Sequence, residues 1–208
     1  MIIISIHIFP QELTEYIRLM ESLNDTVNHI KNINQFKILT TLNLNETLIK
    51  HDDSVSGIIN SFRTTNQNSK FGYDELITYD ENFLGVNEHR NHTIDMSATG
   101  DSIIFLDSDM HFNADILAHH ENAVSVLSCK HDHYIITPNT VRLWDSTWDC
   151  LVHDTFKSKS HTFYKTIDCD KLKTHNFGNV KLIPLNTFKW GGGGLNCIDA
   201  NLLKKIKL

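Results

Sequence analysis

Two hydrophobic patterns alternate along the first part of the chain. Residues 2–9 form a near-continuous apolar run rich in β-branched side chains, typical of a strand covered on both faces, and Pro10 ends it. Between residues 11 and 31 the apolar side chains recur at spacings of three and four, as on the buried face of an amphipathic helix. Residues 36–42 again have the pattern of a strand, so this segment predicts a β-α-β unit with parallel strands.

The same alternation continues further along the chain. Asp53 or Ser54 can cap a short helix, the polar stretch 64–70 is expected to be a loop, and Asn87 begins a helix that runs to about Ser97. Further strands are predicted at residues 75–79, 102–106, 134–137 and 179–188, and further helices at residues 113–127 and 199–207. The expected fold class is α/β: a Rossmann-like, mixed and mostly parallel sheet flanked by helices, in a single domain spanning residues 1–208.

Composition and charge narrow the classes of function. The 208 residues carry a net charge of −6, which argues against a nucleic-acid-binding surface or a polybasic membrane contact, because both depend on an excess of Lys and Arg. The cysteines lie far apart without a C-x-x-C pair, so they predict neither a zinc ribbon nor a dithiol site. The apolar start lacks a basic region and is too short to span a bilayer. We expect no nucleic-acid partner, no membrane span and a cytoplasmic location.

The most informative motif is Asp107-Ser108-Asp109, where a short apolar strand runs directly into two carboxylates one residue apart. In a parallel sheet the carboxyl ends of the strands open onto the ligand crevice. The two carboxylates repel each other, and a hard divalent cation such as Mn²⁺ or Mg²⁺ would relieve that repulsion while keeping positions open for phosphate oxygens. The alternative is a loop in which the carboxylates cap the next helix.

The residues upstream of this motif add context. Residues 88–91, Glu-His-Arg-Asn, stand near the start of the predicted helix, Ala98 follows its end, and the next strand ends in the motif. This whole block resembles the donor-binding segment of family-2-like GT-A glycosyltransferases, in which an Arg-Asn pair opens a helix, an Ala closes it and the next strand ends in D-x-D. The resemblance implies that Asp109 is a metal ligand, that Asp107 faces the ribose and the metal with Ser108 beside it, and that Arg90 contacts the nucleotide-diphospho-sugar, a UDP- or GDP-sugar. A guanidinium suits phosphate, and a helix N-terminus adds positive potential. A surface ion pair is the alternative role for Arg90.

A second part of the resemblance concerns the acceptor side. Residues 188–198 contain an unbroken glycine run, and apolar residues follow at Leu202, Leu203 and Ile206. This segment looks like the glycine-containing loop and following helix that line the acceptor in this fold. Glycine permits close approach of a sugar to the main chain, and aromatic rings beside carboxylates suit carbohydrate. The acceptor-side candidates are Trp190, Gly191, Gly192, Gly193, Trp144 and Asp145. A flexible turn and tryptophans that fill a core are the alternatives.

The resemblance divides the domain into a nucleotide-sugar and metal-binding half, residues 1–112, and a less regular acceptor-side half, residues 113–208. After the second strand, where many relatives carry an Asp-rich turn that reads the base, Asn43 and Asn45 are positional candidates for donor binding. The catalytic base of the family follows the glycine loop and helix, whereas this sequence stops at Leu208. Either the native chain is longer, or the base comes from elsewhere, or the protein transfers nothing by itself.

The expected function is a divalent-metal-dependent glycosyltransferase of the hexosyltransferase type, inverting as in family-2-like enzymes, that acts on a glycan or other hydroxyl acceptor. A non-catalytic nucleotide-sugar or glycan-binding module is the alternative from another class. A haloacid-dehalogenase-like phosphatase also carries D-x-D after a strand, but there the motif lies near the start of the chain and Thr stands where this chain has His111. The abundance of Asn, Ile and Lys suggests an AT-rich genome such as that of a virus, in which case the location is the host cytoplasm.

Overall fold

A six-stranded sheet forms the centre of the structure. The computed structural model describes residues 1–44, 54–79, 86–110, 114–136 and 195–206, and all of these residues lie within one compact unit. They form the strands β1 (Ile2–Ile8), β2 (Phe36–Asn43), β3 (Gly72–Thr78), β4 (Ser102–Leu106), β5 (Ile135–Ile136) and β6 (Asn196–Asp199), and the helices α1 (Leu13–Thr26), α2 (Val55–Gln67), α3 (Val86–Met96), α4 (Ile116–Leu127) and α5 (Ala200–Ile206). Short 3-10 helices lie at Pro10–Glu12 and Ile33–Gln35.

The strand order in the sheet is β3-β2-β1-β4-β6-β5. β1 pairs in parallel with β2 and with β4, and β2 pairs in parallel with β3. β6 runs antiparallel to β4 and to β5. The prediction of an α/β fold with a mixed, mostly parallel sheet flanked by helices is confirmed. The carboxyl ends of β1 to β4 therefore meet at one edge of the sheet, which is where such folds bind their ligands.

Both faces of β1 are buried, as its apolar run predicts. On one face the even-numbered isoleucines pack into the larger apolar cluster, together with one stripe of α1. The members of these two sets are Ile2, Ile4, Ile6 and Ile8 in β1, and Tyr16, Leu19, Met20 and Leu23 in α1. On the other face Ile3 packs with Ile103 and Phe105 in a second cluster. A strand covered in this way belongs in the middle of a parallel sheet.

The first helix is shorter than the 11–31 segment that the sequence predicts. The 3-10 turn Pro10–Glu12 precedes it. It ends at Thr26, whose hydroxyl turns back and donates a hydrogen bond to the carbonyl of Leu23 at 2.6 Å. A threonine hydroxyl that bonds to a carbonyl of the last turn competes with continued helix, which gives a physical reason for the early end.

The second helix is longer than predicted. α2 is capped by Ser54, whose Oγ accepts a hydrogen bond from the N–H of Gly57, and it continues to Gln67. The prediction of a loop over residues 64–70 is therefore wrong for its first four residues. The cause is Asn66, which is fully buried and accepts a hydrogen bond from the hydroxyl of Tyr16.

The strand β6 is not predicted from the sequence. The sequence predicts that the end of a glycine loop occupies this segment and that a helix follows it. All four residues of β6 are buried, and Cys197 and Ile198 belong to opposite apolar clusters. The ladder with β4 pairs Cys197 with Ile104. The closing helix follows at Ala200, where Asp199 Oδ1 accepts a hydrogen bond from the N–H of Leu202 at 2.9 Å. The predicted helix start is thus correct to one residue, and the strand before it is an addition.

β4 has the predicted bounds, and the other predicted elements of the described part of the chain agree in type and differ at their ends. The strand expected at residues 75–79 begins at Gly72, and the described part of the helix expected from residue 113 begins at Ile116. The strand predicted at residues 179–188 lies outside the described residues. Among the described helices, none combines the length and the apolar character that crossing a bilayer requires.

Candidate functional site

A pocket opens at the carboxyl ends of β1 and β4, beside the first turns of α3. Its volume is about 270 Å³. The side chains that line it are Ser5, His7, Phe9, Glu12, Val86, His89, Arg90, Phe105, Leu106, Asp107, Ser108 and Asp109. The pocket thus lies at the edge of the sheet where a parallel α/β fold places its ligands.

Asp107, Ser108 and Asp109 lie in the turn that follows β4. The N–H of Met110 donates a hydrogen bond to the carbonyl of Asp107 at 3.2 Å, which closes this turn. Ser108 is buried, whereas the two carboxylates are exposed. All three residues line the pocket, so the structure places the two carboxylates at the open end of an apolar strand, as the motif predicts.

Arg90 reaches the same pocket from α3. Its guanidinium carbon lies 5.3 Å from the centroid of the Phe105 ring, in a cation–π arrangement. Phe105 belongs to β4 and precedes Asp107 by two residues, so this contact brings a permanent positive charge to the end of the strand that carries the carboxylates.

Glu12 is a third carboxylate of the pocket, which the sequence motifs do not indicate. Its Oε2 accepts a hydrogen bond from the N–H of Phe9 at 2.8 Å. The Glu12 carboxylate also forms a hydrogen bond with the side chain of Ser108. Burial raises the pKa of Glu12, and the charges of Asp109 and Asp107 add to the rise, while the two hydrogen bonds oppose it. The one sequence signal is a Glu three residues after the end of an apolar run, the spacing at which Glu caps a helical turn.

A pair of histidines lines the base of the pocket, and the sequence analysis assigns a role to neither of them. The rings of His7 and His89 stack with centroids 5.1 Å apart, and Phe9 meets His7 edge-on at 4.8 Å. Burial lowers the pKa of His89 to about 3 and that of His7 to about 4, so both rings are neutral near pH 7. The signal in the sequence is the alternation of Ser5, His7 and Phe9 in an otherwise aliphatic strand.

Of the remaining predicted site residues, only Asn43 belongs to the described part of the chain, and it does not line this pocket. Asn43 is the last residue of β2; it is fully buried and is not among the residues that line the pocket. The other candidates lie outside the described residues, as does His111; these candidates are Asn45, Trp144, Asp145, Trp190, Gly191, Gly192 and Gly193.

The carboxylates fit a divalent cation that is shared with a ligand. Among the described residues, no three His, Cys, Asp or Glu side chains converge as a ready-made metal site. Mg²⁺ is commonly bound by one or two carboxylates together with substrate phosphates and water. Asp107 and Asp109 are exposed and lie one residue apart in one turn, which suits that arrangement. They could hold Mn²⁺ or Mg²⁺ together with phosphate oxygens.

Comparison with known proteins does not place the chain in a family. No protein-family model matches the chain, and no curated protein matches it. The chemistry of the pocket therefore rests on its own residues: a guanidinium, two exposed carboxylates and one half-buried carboxylate around neutral imidazoles. Such a set can bind an anion through Arg90 and a cation through Asp107 and Asp109 at the same time.

Proposed function

We propose that this chain is a divalent-metal-dependent glycosyltransferase that transfers a sugar from a UDP- or GDP-sugar to a hydroxyl group of a glycan or another acceptor. The observation that carries the proposal is the convergence of Asp107, Asp109 and Arg90 on one pocket at the carboxyl edge of the sheet. The arginine comes from α3 and the carboxylates from the turn after β4, so opposite charges approach one ligand from two elements. A cytoplasmic location belongs to the same proposal.

The side chains of the pocket complement a nucleoside diphosphate. Arg90 can donate two parallel hydrogen bonds to one phosphate group, which a lysine could not do. Asp107 and Asp109 can accept hydrogen bonds from ribose hydroxyls and supply oxygen ligands to a cation. A bound divalent cation would stabilise the negative charge that develops on the departing diphosphate.

The proposed reaction is displacement at the anomeric carbon in a single step, with inversion. Such a reaction needs a base to accept the proton of the acceptor hydroxyl. Glu12 is not assigned this role, because its carboxylate is already engaged by the N–H of Phe9 and by Ser108. This engagement favours a second candidate function, a nucleotide-sugar-binding module without catalysis, since Glu12 is the one further carboxylate of the described pocket.

A thermal-shift experiment tests the donor site. Wild-type protein is heated with UDP or GDP, in the presence of Mn²⁺, Mg²⁺ or EDTA. A ligand at about one hundred times its Kd stabilises the fold by about 2.7 kcal/mol, which for a chain of this size raises the Tm by roughly 5–10 °C. We expect a shift for one nucleotide that EDTA abolishes. No shift with either nucleotide in either metal would contradict the proposal.

Matched variants assign the shift to the pocket. Asp109→Asn should lose it, whereas Asp95→Asn, which removes the same charge from an exposed position on α3 outside the pocket, should keep it. Release of nucleotide from UDP- or GDP-sugars in the presence of a hydroxyl acceptor then separates the two candidate functions. Binding with release supports the transferase, and binding without release supports the module.

A further inference from the structure

A buried hydrogen-bond network lies behind the pocket. His89 Nε2 is 2.7 Å from Ser5 Oγ, and His89 Nδ1 is 3.0 Å from Thr41 Oγ1. Ser5 Oγ is also 2.7 Å from Thr93 Oγ1, whose hydroxyl donates to the carbonyl of His89 at 3.1 Å. All four side chains are buried. The network thus joins β1, β2 and α3 in the interior of the fold.

The direction of each hydrogen bond follows from counting protons. Thr93 has one hydroxyl proton and donates it to the carbonyl of His89, so its oxygen accepts from Ser5. The single proton of Ser5 is then in use, and its oxygen accepts from the Nε2–H of His89. Because burial lowers the pKa of His89 to about 3, the ring is neutral and its Nδ1 accepts from the hydroxyl of Thr41. Every polar atom of the imidazole therefore has a partner within the protein.

The start of α3 depends on this network because the helix buries little apolar surface. Its buried residues are His89, Thr93 and Ile94, of which Ile94 alone is apolar. Residues 86–88 are exposed, so His89 is the first buried side chain of the helix. A helix with a wide apolar stripe is placed by packing. In the first turns of α3, both nitrogen atoms of the His89 ring bind to the sheet, and Thr93 adds a contact to Ser5 one turn later.

We infer that His89 is a positioning residue for Arg90: its ring fixes the first turns of α3 against β1 and β2, so that the next residue of the helix lies over Phe105 at the pocket. The inference rests on the proposed function in one respect, namely that Arg90 contacts the ligand. Since both ring nitrogens are engaged inside the protein, His89 acts by holding the helix and not by binding ligand.

The first test measures the position of Arg90 without any ligand. The Nε–H signal of Arg90, identified by its loss in Arg90→Lys, is expected to carry a ring-current shift that Phe105→Leu abolishes. His89→Phe keeps an aromatic ring, removes both hydrogen bonds and should abolish the shift as well. His120→Phe is the matched control, because His120 is an equally buried histidine on α4 outside the pocket. An unchanged Arg90 signal in His89→Phe would overturn the inference.

Thr41→Val is the second variant if His89→Phe does not fold. Valine has the branched shape of threonine but lacks the hydroxyl that donates to His89 Nδ1. We expect the Arg90 signal to move in the same direction as in His89→Phe, by a smaller amount. A folded Thr41→Val protein with the wild-type Arg90 signal would count against the inference.

The second test asks whether His89 affects ligand binding through Arg90. The affinities for UDP and GDP are measured with Mn²⁺ in His89→Phe, in Arg90→Ala and in the double variant. We expect each single change to weaken binding about tenfold, and the double variant to bind no more weakly than Arg90→Ala. Unchanged affinity in His89→Phe, or two effects that multiply in the double variant, would overturn the inference. If the wild type binds neither nucleotide, the proposed function fails, while the Arg90 signal still decides the positioning of α3.

Discussion

Acidification from about pH 7 to about pH 5 is expected to destabilise the fold through its buried histidines. Burial lowers the pKa of His89 to about 3 and that of His7 to about 4, both from the usual 6.5. Burial lowers the pKa of His120 as well. Each of these side chains is therefore neutral in the folded protein at pH values at which the unfolded chain binds a proton.

The size of the loss in unfolding free energy follows from the number of protons that the unfolded chain binds in excess of the folded protein. The stability that these histidines contribute is complete well above pH 6.5 and is lost as the pH falls toward their folded-state pKa values. Below pH 6.5 the loss in the free energy of unfolding approaches about 1.4 kcal/mol per pH unit for one histidine, so His89 alone lowers it by about 2 kcal/mol between pH 7 and pH 5. The partly exposed ring of His7 contributes less. Glu12 acts in the opposite direction, because its raised pKa lets the folded state bind a proton first. Against a typical total of about 5–15 kcal/mol the net loss is large.

Urea unfolding at a series of pH values, followed by circular dichroism, measures this loss. The unfolding free energy of the wild type should fall steadily below pH 6.5. In His89→Phe the slope of this fall should be smaller, by the contribution of about one bound proton. His131→Gln, a change at an exposed histidine, is the control and should leave the slope unchanged. A flat stability profile, or a His89 signal that titrates near pH 6.5 in NMR spectra of the folded protein, would refute the reasoning.

Three further predictions concern stability, each measured by urea unfolding. Glu12→Ala removes the acceptor of the Phe9 N–H and should cost about 1 kcal/mol, most of which Glu12→Gln should restore; an equal loss in both variants would contradict this reading. Tyr16→Phe deprives buried Asn66 of a donor and should cost about 1–3 kcal/mol, so an unchanged midpoint would show that this hydrogen bond contributes little. Gly100 has a φ of 87°, and a β-carbon added there meets no other atom, so Gly100→Ala should cost about 1 kcal/mol of stability through backbone strain alone. An unchanged free energy of unfolding would contradict this expectation.

The apolar pattern locates β4 and β2 well. β4 has the predicted bounds, residues 102–106, and β2 extends its predicted range by one residue, to Asn43. Both strands lie between neighbours in the sheet and are covered on two faces. The apolar run then begins and ends where the strand does, and a window of residues is enough to locate it.

β6 and the end of α2 depend instead on partners far away in the sequence. Asn196 and Asp199 are polar residues that become buried because β6 pairs with β4. Asn66 stays in a helix because Tyr16 donates to it and because its own amide donates to Glu75 at 3.0 Å. A polar residue that a distant partner buries looks, in a local window, like a residue of a loop. This is why the sequence predicts a loop at residues 64–70 and no strand at residues 196–199.

The residues of the candidate site differ in the same way: some follow from a local sequence pattern, and others depend on partners far away in the sequence. Asp107, Asp109 and Arg90 are the residues to which the sequence analysis assigns roles, and they line one pocket. The sequence analysis assigns no role to Glu12 or to His89, although His89 directly precedes Arg90. Each of the two has a partner on another element, Glu12 in Ser108 and His89 in Ser5.

The register between β1 and β4 explains how the polar residues of β1 come to the site. The parallel ladder sets Ser5 opposite Phe105, so two residues further on His7 comes level with Asp107. Side chains alternate between the faces of a strand, and Ser5, His7 and Phe9 therefore share the face that the pocket uses. In the sequence this serine and this histidine are exceptions within an aliphatic core strand. Once β1 is placed beside β4 they become the floor of a site, because any residue on that face near the end of β1 must lie next to the turn that carries the two carboxylates.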